Sequence, residues 1–167
     1  MKKYIVFFSL SIVIFGCEKV PEFKYYRSQL YPVKQVDNEW KKTAHFKDIP
    51  VSIRLESTLH IDEDYSGHYM GKFEPIVVNT AVLSLDKDIV LFDETFRAGT
   101  NLLETRYAEI EHLVRKNGSF MENRYFLWLN RENITDFYTN KGYYTVYFKA
   151  ITEHNYEIND STVICIE

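Results

Sequence analysis

The chain has 167 residues with 24 acidic and 20 basic side chains and no basic block, which argues against nucleic acid, whose binding is dominated by phosphate neutralisation. Two cysteines are too few for a disulfide framework, so the fold must rest on its hydrophobic core. Tyr (13) and Phe (12) are abundant, which favours strands over helices.

Met1-Lys2-Lys3 is a short basic start, and Tyr4 to Phe15 is an apolar run broken only by Ser9 and Ser11. Such a run has the order of a secretory signal and is too short for a stable membrane span. It ends in Ile14-Phe15-Gly16-Cys17, which resembles the bacterial lipobox. That resemblance implies that residues 1–16 are removed and that Cys17 is lipidated, tethering the protein to a membrane. The competing reading is a plain secretory signal with an incidental cysteine. Acyl chains contribute roughly 0.8 kcal/mol per buried methylene, so the several chains of a mature lipoprotein make a lasting anchor. The same resemblance implies that Glu18 at the following position leans towards the outer membrane, and with Cys17 lipidated Cys165 has no disulfide partner. Loss of Lys2 and Lys3 moves the formal charge from −4 to −6.

Residues 17–48 carry two prolines, many charges and no sustained period, and read as a lipidated N-terminus and tether running into an edge segment. Residues 49–167 read as one β-sandwich domain. Val51, Ile53 and Leu55 alternate with Ser52, Arg54 and Glu56, the mark of a half-buried strand. Pro75 to Leu85 is a second β region, and Asp86-Lys87-Asp88 turns the chain into Ile89-Val90-Leu91-Phe92. Asn101-Leu102-Leu103-Glu104 has the residues of a capping box, and Leu103, Tyr107, Ile110 and Val114 recur at helical spacing. A short helix is expected there, although Ala108, Ile110, His112 and Val114 also alternate as a strand would. Tyr125 to Leu129, Tyr143 to Ile151 and Ser161 to Ile166 complete the strands.

Asn140-Lys141-Gly142-Tyr143-Tyr144-Thr145-Val146 resembles the penultimate-strand motif of immunoglobulin-like domains, Asp-x-Gly-x-Tyr-x-Cys, with Asn for Asp and Val for the cysteine. The resemblance implies an immunoglobulin-like antiparallel β-sandwich in which Tyr144 forms a tyrosine corner. Its phase puts Tyr144, Val146, Phe148 and Ala150 on one face, and Tyr143, Thr145, Tyr147 and Lys149 on the other. The lipobox signal, the Phe92 to Leu102 turn, Phe126-Leu127-Trp128-Leu129 and the closing strands are together similar to small Bacteroidetes lipoproteins of unknown function. That likeness implies a cell-envelope β domain and carries over no catalytic residue.

Asp62, Asp64, Ser66 and Gly67 occupy the places of residues 1, 3, 5 and 6 of an EF-hand-type calcium loop, since calcium takes several hard oxygens around a sharp turn. Phe73 stands where the closing Glu belongs and Glu74 is one place late, so a looser calcium loop or a solvated acidic turn remains. His60 and His68 flank this loop without a transition-metal ligand pattern, and His45, His112 and His154 are scattered. No GxSxG or HExxH motif supports catalysis, and the glycines never cluster as a phosphate cradle requires. Cys165 reads as a small buried hydrophobe. Tyr143, Tyr147 and Trp40 are the exposed aromatics that could meet a ligand, against cross-strand pairing as the simpler account. The expected function is a non-catalytic binding or assembly module of the envelope with a protein or glycan partner. The alternative is a protective lipoprotein that binds a toxin or hydrolase at the membrane.

Overall fold

The computed structural model describes residues 24–47, 50–62, 69–91, 94–117, 120–129 and 140–167. In chain order the strands are β1 (Lys24–Val36), β2 (Glu39–Lys42), β3 (His45–Phe46), β4 (Val51–Asp62), β5 (Tyr69–Phe73) and β6 (Val82–Leu85). They continue as β7 (Ile89–Leu91), β8 (Glu94–Phe96), β9 (Ala108–Asn117), β10 (Phe120–Leu129), β11 (Gly142–Ile151) and β12 (Glu157–Ile166). One sheet has the order β2-β1-β4-β10-β9, with β5 added to β4, and the other β3-β12-β11-β6; β7 and β8 form a separate hairpin. Among the described residues every strand pairing is antiparallel except that of β3 with β12. The arrangement is that of an immunoglobulin-like sandwich, in which β1-β4-β10-β9 stand as the A-B-E-D sheet and β6-β11-β12 as the C-F-G sheet.

Alternation decides what lies between the sheets. Val51, Ile53 and Leu55 of β4 and Tyr125, Leu127 and Leu129 of β10 face Leu83, Val146, Phe148, Ile158 and Ile164 in one continuous core. Val146, at the place of the immunoglobulin cysteine, is fully buried, and Cys165 is a free thiol. Apolar burial holds the sheets together instead of a cross-sheet disulfide, at about 1.5–3 kcal/mol for each large side chain.

The tyrosine corner is formed. Tyr144 is 2 % exposed and its hydroxyl donates to the Asn140 carbonyl at 2.7 Å. Burial is the first cause that raises the Tyr144 pKa. Gly142 enters β11 at φ 144, a conformation that a side chain would strain. The Asn140 amide ties the corner outward, its Oδ1 accepting from Val90 N at 2.9 Å and its Nδ2 donating to Asp88 O at 3.3 Å.

Two expectations are corrected. The helix after Asn101 is one 3-10 turn, Leu102–Glu104, followed by β9. Asn101 Oδ1 does accept from Leu103 N, but it also accepts from Leu83 N, so the cap residue spans to the edge of β6. Thr105 closes the turn on the Leu102 carbonyl, and ten residues of β9 then pair with β10. A full antiparallel ladder satisfies the same backbone groups and overrides local helical spacing.

The second concerns where the strand framework starts. Among the described residues strand structure is already present at Lys24, upstream of the boundary drawn at 49, and β1 lies inside the first sheet with ten residues in register with β4. Asp37 (φ 52) and Asn38 (φ 63) form the two-residue turn into β2, both in the left-handed conformation that such hairpins need. This turn brings Trp40 back over the outer face of the first sheet, where its ring lies 4.6 Å from Phe126 and 5.9 Å from Trp128. Trp40 is therefore half-buried in a satellite core with Tyr31, Val33, Phe126 and Leu113, not an exposed ligand contact.

Candidate functional site: the outer face of the second sheet

Strand register determines which side chains share the outer face of β3-β12-β11-β6. Tyr143 lies opposite Cys165, Thr145 opposite Val163, Tyr147 opposite Ser161, Lys149 opposite Asn159 and Ile151 opposite Glu157. On the far side of β12, Cys165 is level with His45 of β3. Tyr143 is 60 % exposed, Val163 47 %, Tyr147 40 % and Ile151 39 %, so four large apolar residues stand uncovered on one face.

The face is tied along one side to the turn between β6 and β7. Asp86 Oδ1 accepts from Thr145 N at 2.8 Å and Oδ2 from Thr145 Oγ1 at 3.1 Å, while Lys87 Nζ donates to the Tyr143 carbonyl at 3.2 Å. These bonds extend the pairing of β11 beyond the end of β6.

At the Tyr143 end the sheet gathers three potential metal-binding side chains. Cys165 and Glu167 are two residues apart and therefore project to the same side, and the parallel ladder sets His45 beside Cys165. Backbone bonds from Cys165 N to Ala44 O (2.6 Å) and from Glu167 N to Phe46 O (2.9 Å) fix that register. His45 Nδ1 lies 2.6 Å from Glu167 Oε1, and the Tyr143 ring meets the His45 ring edge-on at 6.5 Å. One donor atom each from His45, Cys165 and Glu167 lies within 4.8 Å of the others. Although Cys165 faces outward, it is only 6 % exposed. The electrostatic influence of the neighbouring Cys165, and then the hydrogen bond with it, raise the Tyr143 phenol above its ordinary pKa.

Cys165 is thus buried, as its sequence setting implies, but it lies on the opposite side of β12 from the core residues Ile164 and Ile166. Of the scattered histidines, His154 has a different role. Its Nδ1 lies 3.0 Å from both oxygens of Glu74, whose side chain is almost fully buried, and this pair braces the β11–β12 turn. Glu74, the late candidate for the calcium loop, is therefore turned into the body of the domain. Asp62 ends β4 opposite Tyr69; Asp64, Ser66, His68 and Cys17 lie outside the described residues.

Sequence reasoning missed the grouping of His45, Cys165 and Glu167. Cys165-Ile166-Glu167 alternation is a visible half of the signal; the parallel pairing with β3 is not. No family model, curated protein or solved structure matches the chain.

Proposed function

We propose that this chain is a non-catalytic binding or assembly module of the cell envelope, exported and anchored to the outer membrane through lipid on Cys17, with its partner docking on the outer face of β3-β12-β11-β6. The uncovered row of Tyr143, Tyr147, Ile151 and Val163 carries this reading. From Tyr143 to Ile151 the row runs about 26 Å at a strand rise of ~3.3 Å per residue, a length that a protein surface covers and a single sugar ring does not. Tyrosine suits such a surface because its ring is apolar and rigid while its hydroxyl stays hydrated. Such a row suits a protein partner, with a glycan of several rings as the alternative.

Two measurements test the parts separately. Cys17→Ser should leave a precursor without lipid by mass spectrometry; membrane retention after carbonate washing together with a lipid adduct would overturn the anchor. A photo-crosslinking amino acid at Tyr147 should give a discrete adduct with an envelope protein in cells, and Tyr143→Ala should weaken it. The same probe at Glu56, on the outer face of the other sheet, should not give that adduct. Identical adducts at both positions would overturn the assignment of the face.

A further inference from the structure

We propose that His45, Cys165 and Glu167 form a binding site for a zinc-class divalent ion, independent of the partner-binding reading of the same sheet. The donor set is one imidazole, one thiol and one carboxylate. With the thiol ionised, two negative charges match a divalent ion. The mixture of a soft sulfur, a borderline nitrogen and one hard oxygen suits zinc and disfavours calcium or magnesium, which take shells of oxygen.

Placement comes from the backbone. Cys165 and Glu167 project from one strand at a spacing of two, and His45 is the parallel neighbour of Cys165. All three positions are pinned by the bonds of Cys165 N to Ala44 O and Glu167 N to Phe46 O. Donor atoms that lie within 4.8 Å of one another need to draw in by about 1 Å to reach metal–ligand distances of about 2.0–2.3 Å. The short His45–Glu167 contact, 2.6 Å, opens slightly as the ion enters between them. Side-chain exposures of 57 % for His45 and 43 % for Glu167 give an entry path, while the buried sulfur closes the inner side. Three protein ligands leave the fourth tetrahedral position to water.

Binding to the folded chain alone stabilises it by mass action. The test uses the full chain in detergent carrying Cys17→Ser, which leaves Cys165 as the one thiol. Cobalt(II) titration should produce a thiolate-to-metal charge-transfer band that saturates at equimolar ion and is bleached by zinc. Zinc should also raise the melting temperature. Cys165→Ser should abolish the band while leaving the far-ultraviolet circular dichroism unchanged. His45→Gln and Glu167→Gln should each weaken cobalt binding by at least about tenfold, since loss of even an outer-shell partner costs that much. Absence of the band in the parent chain would overturn the proposal. So would a band of unchanged affinity in His45→Gln and Glu167→Gln, because the thiol would then be binding without its two neighbours.

Discussion

The outer faces of the two sheets carry similar residues and are finished differently. On the first sheet Tyr31, Val33, Phe126 and Trp128 are roofed by Trp40, which a two-residue turn folds back over them. Polar groups then seal this roof: Lys42 Nζ sits 3.9 Å above the Tyr31 ring, the Tyr31 hydroxyl donates to Glu56 at 2.5 Å, and Arg54 pairs with Glu56 at 2.9 Å. On the second sheet no such cover lies over Tyr143, Tyr147, Ile151 and Val163 among the described residues. An aromatic on an outer face is therefore core wherever the chain supplies a lid, and becomes informative about binding only where the lid is withheld.

The largest expected effect breaks or confirms that distinction directly. Phe126 is 1 % exposed and packs against Trp40 and Trp128, so Phe126→Ala should cost about 3–5 kcal/mol in denaturant melts. Tyr147→Ala, at a matching place on the open face, should stay within about 0.5 kcal/mol. Equal losses would mean that the second face is also a structural core and would remove its claim to be a docking surface.

A smaller effect separates the inner and outer sides of the open sheet. Tyr144→Phe keeps the buried ring and removes only the bond to the Asn140 carbonyl, so the loss should be about 1 kcal/mol, rising towards ~3 if the acceptor is stranded. Tyr143→Ala, one residue away but facing out, should cost less than Tyr144→Ala, which also creates a cavity. Denaturant midpoints at constant slope report the difference. A larger loss for Tyr143→Ala than for Tyr144→Ala would show that the His45 end of the face is braced by Tyr143 rather than left open for a ligand.

What the sequence discloses follows the range of each interaction. The phase of β4 was legible because Val51, Ile53 and Leu55 alternate with polar residues across a half-buried strand, and the Tyr144 corner because its signal is confined to a few adjacent positions. The region of β9 misled for the same reason. Asn101 and Glu104 form a local cap signal, and Leu103, Tyr107, Ile110 and Val114 fit a helix, whereas the ladder that decides the matter lies on β10. Asp37-Asn38 was a readable hairpin turn hidden among charges. The site joining His45 to Glu167, 122 residues away, depends on a two-residue parallel pairing that leaves no periodicity to detect.

The smallest effect concerns acid and the rim of the open face. Asp88 accepts from Ala98 N at 2.9 Å and from Arg97 Nη1 at 2.8 Å, tying the loop after β8 to the turn that leads into β7. The Ala98 hydrogen bond, then that from Arg97, holds the Asp88 pKa below its ordinary 3.8. Folding therefore favours the ionised carboxylate. Its contribution is complete above 3.8 and is lost as the pH falls through the lower folded-state value. Because the Asp88 side chain is 44 % and that of Arg97 83 % exposed, solvent and salt keep the effect small. Thermal melts of the parent and Asp88→Asn should differ slightly near neutral pH and converge on acidification. Added salt should trim only the part owed to Arg97, since the Ala98 bond is a local contact between fixed neighbours. A gap that widens on acidification would reverse the sign and place the stabilising proton on the folded side, and Asp88 would then not be the rim's acid-sensitive tie.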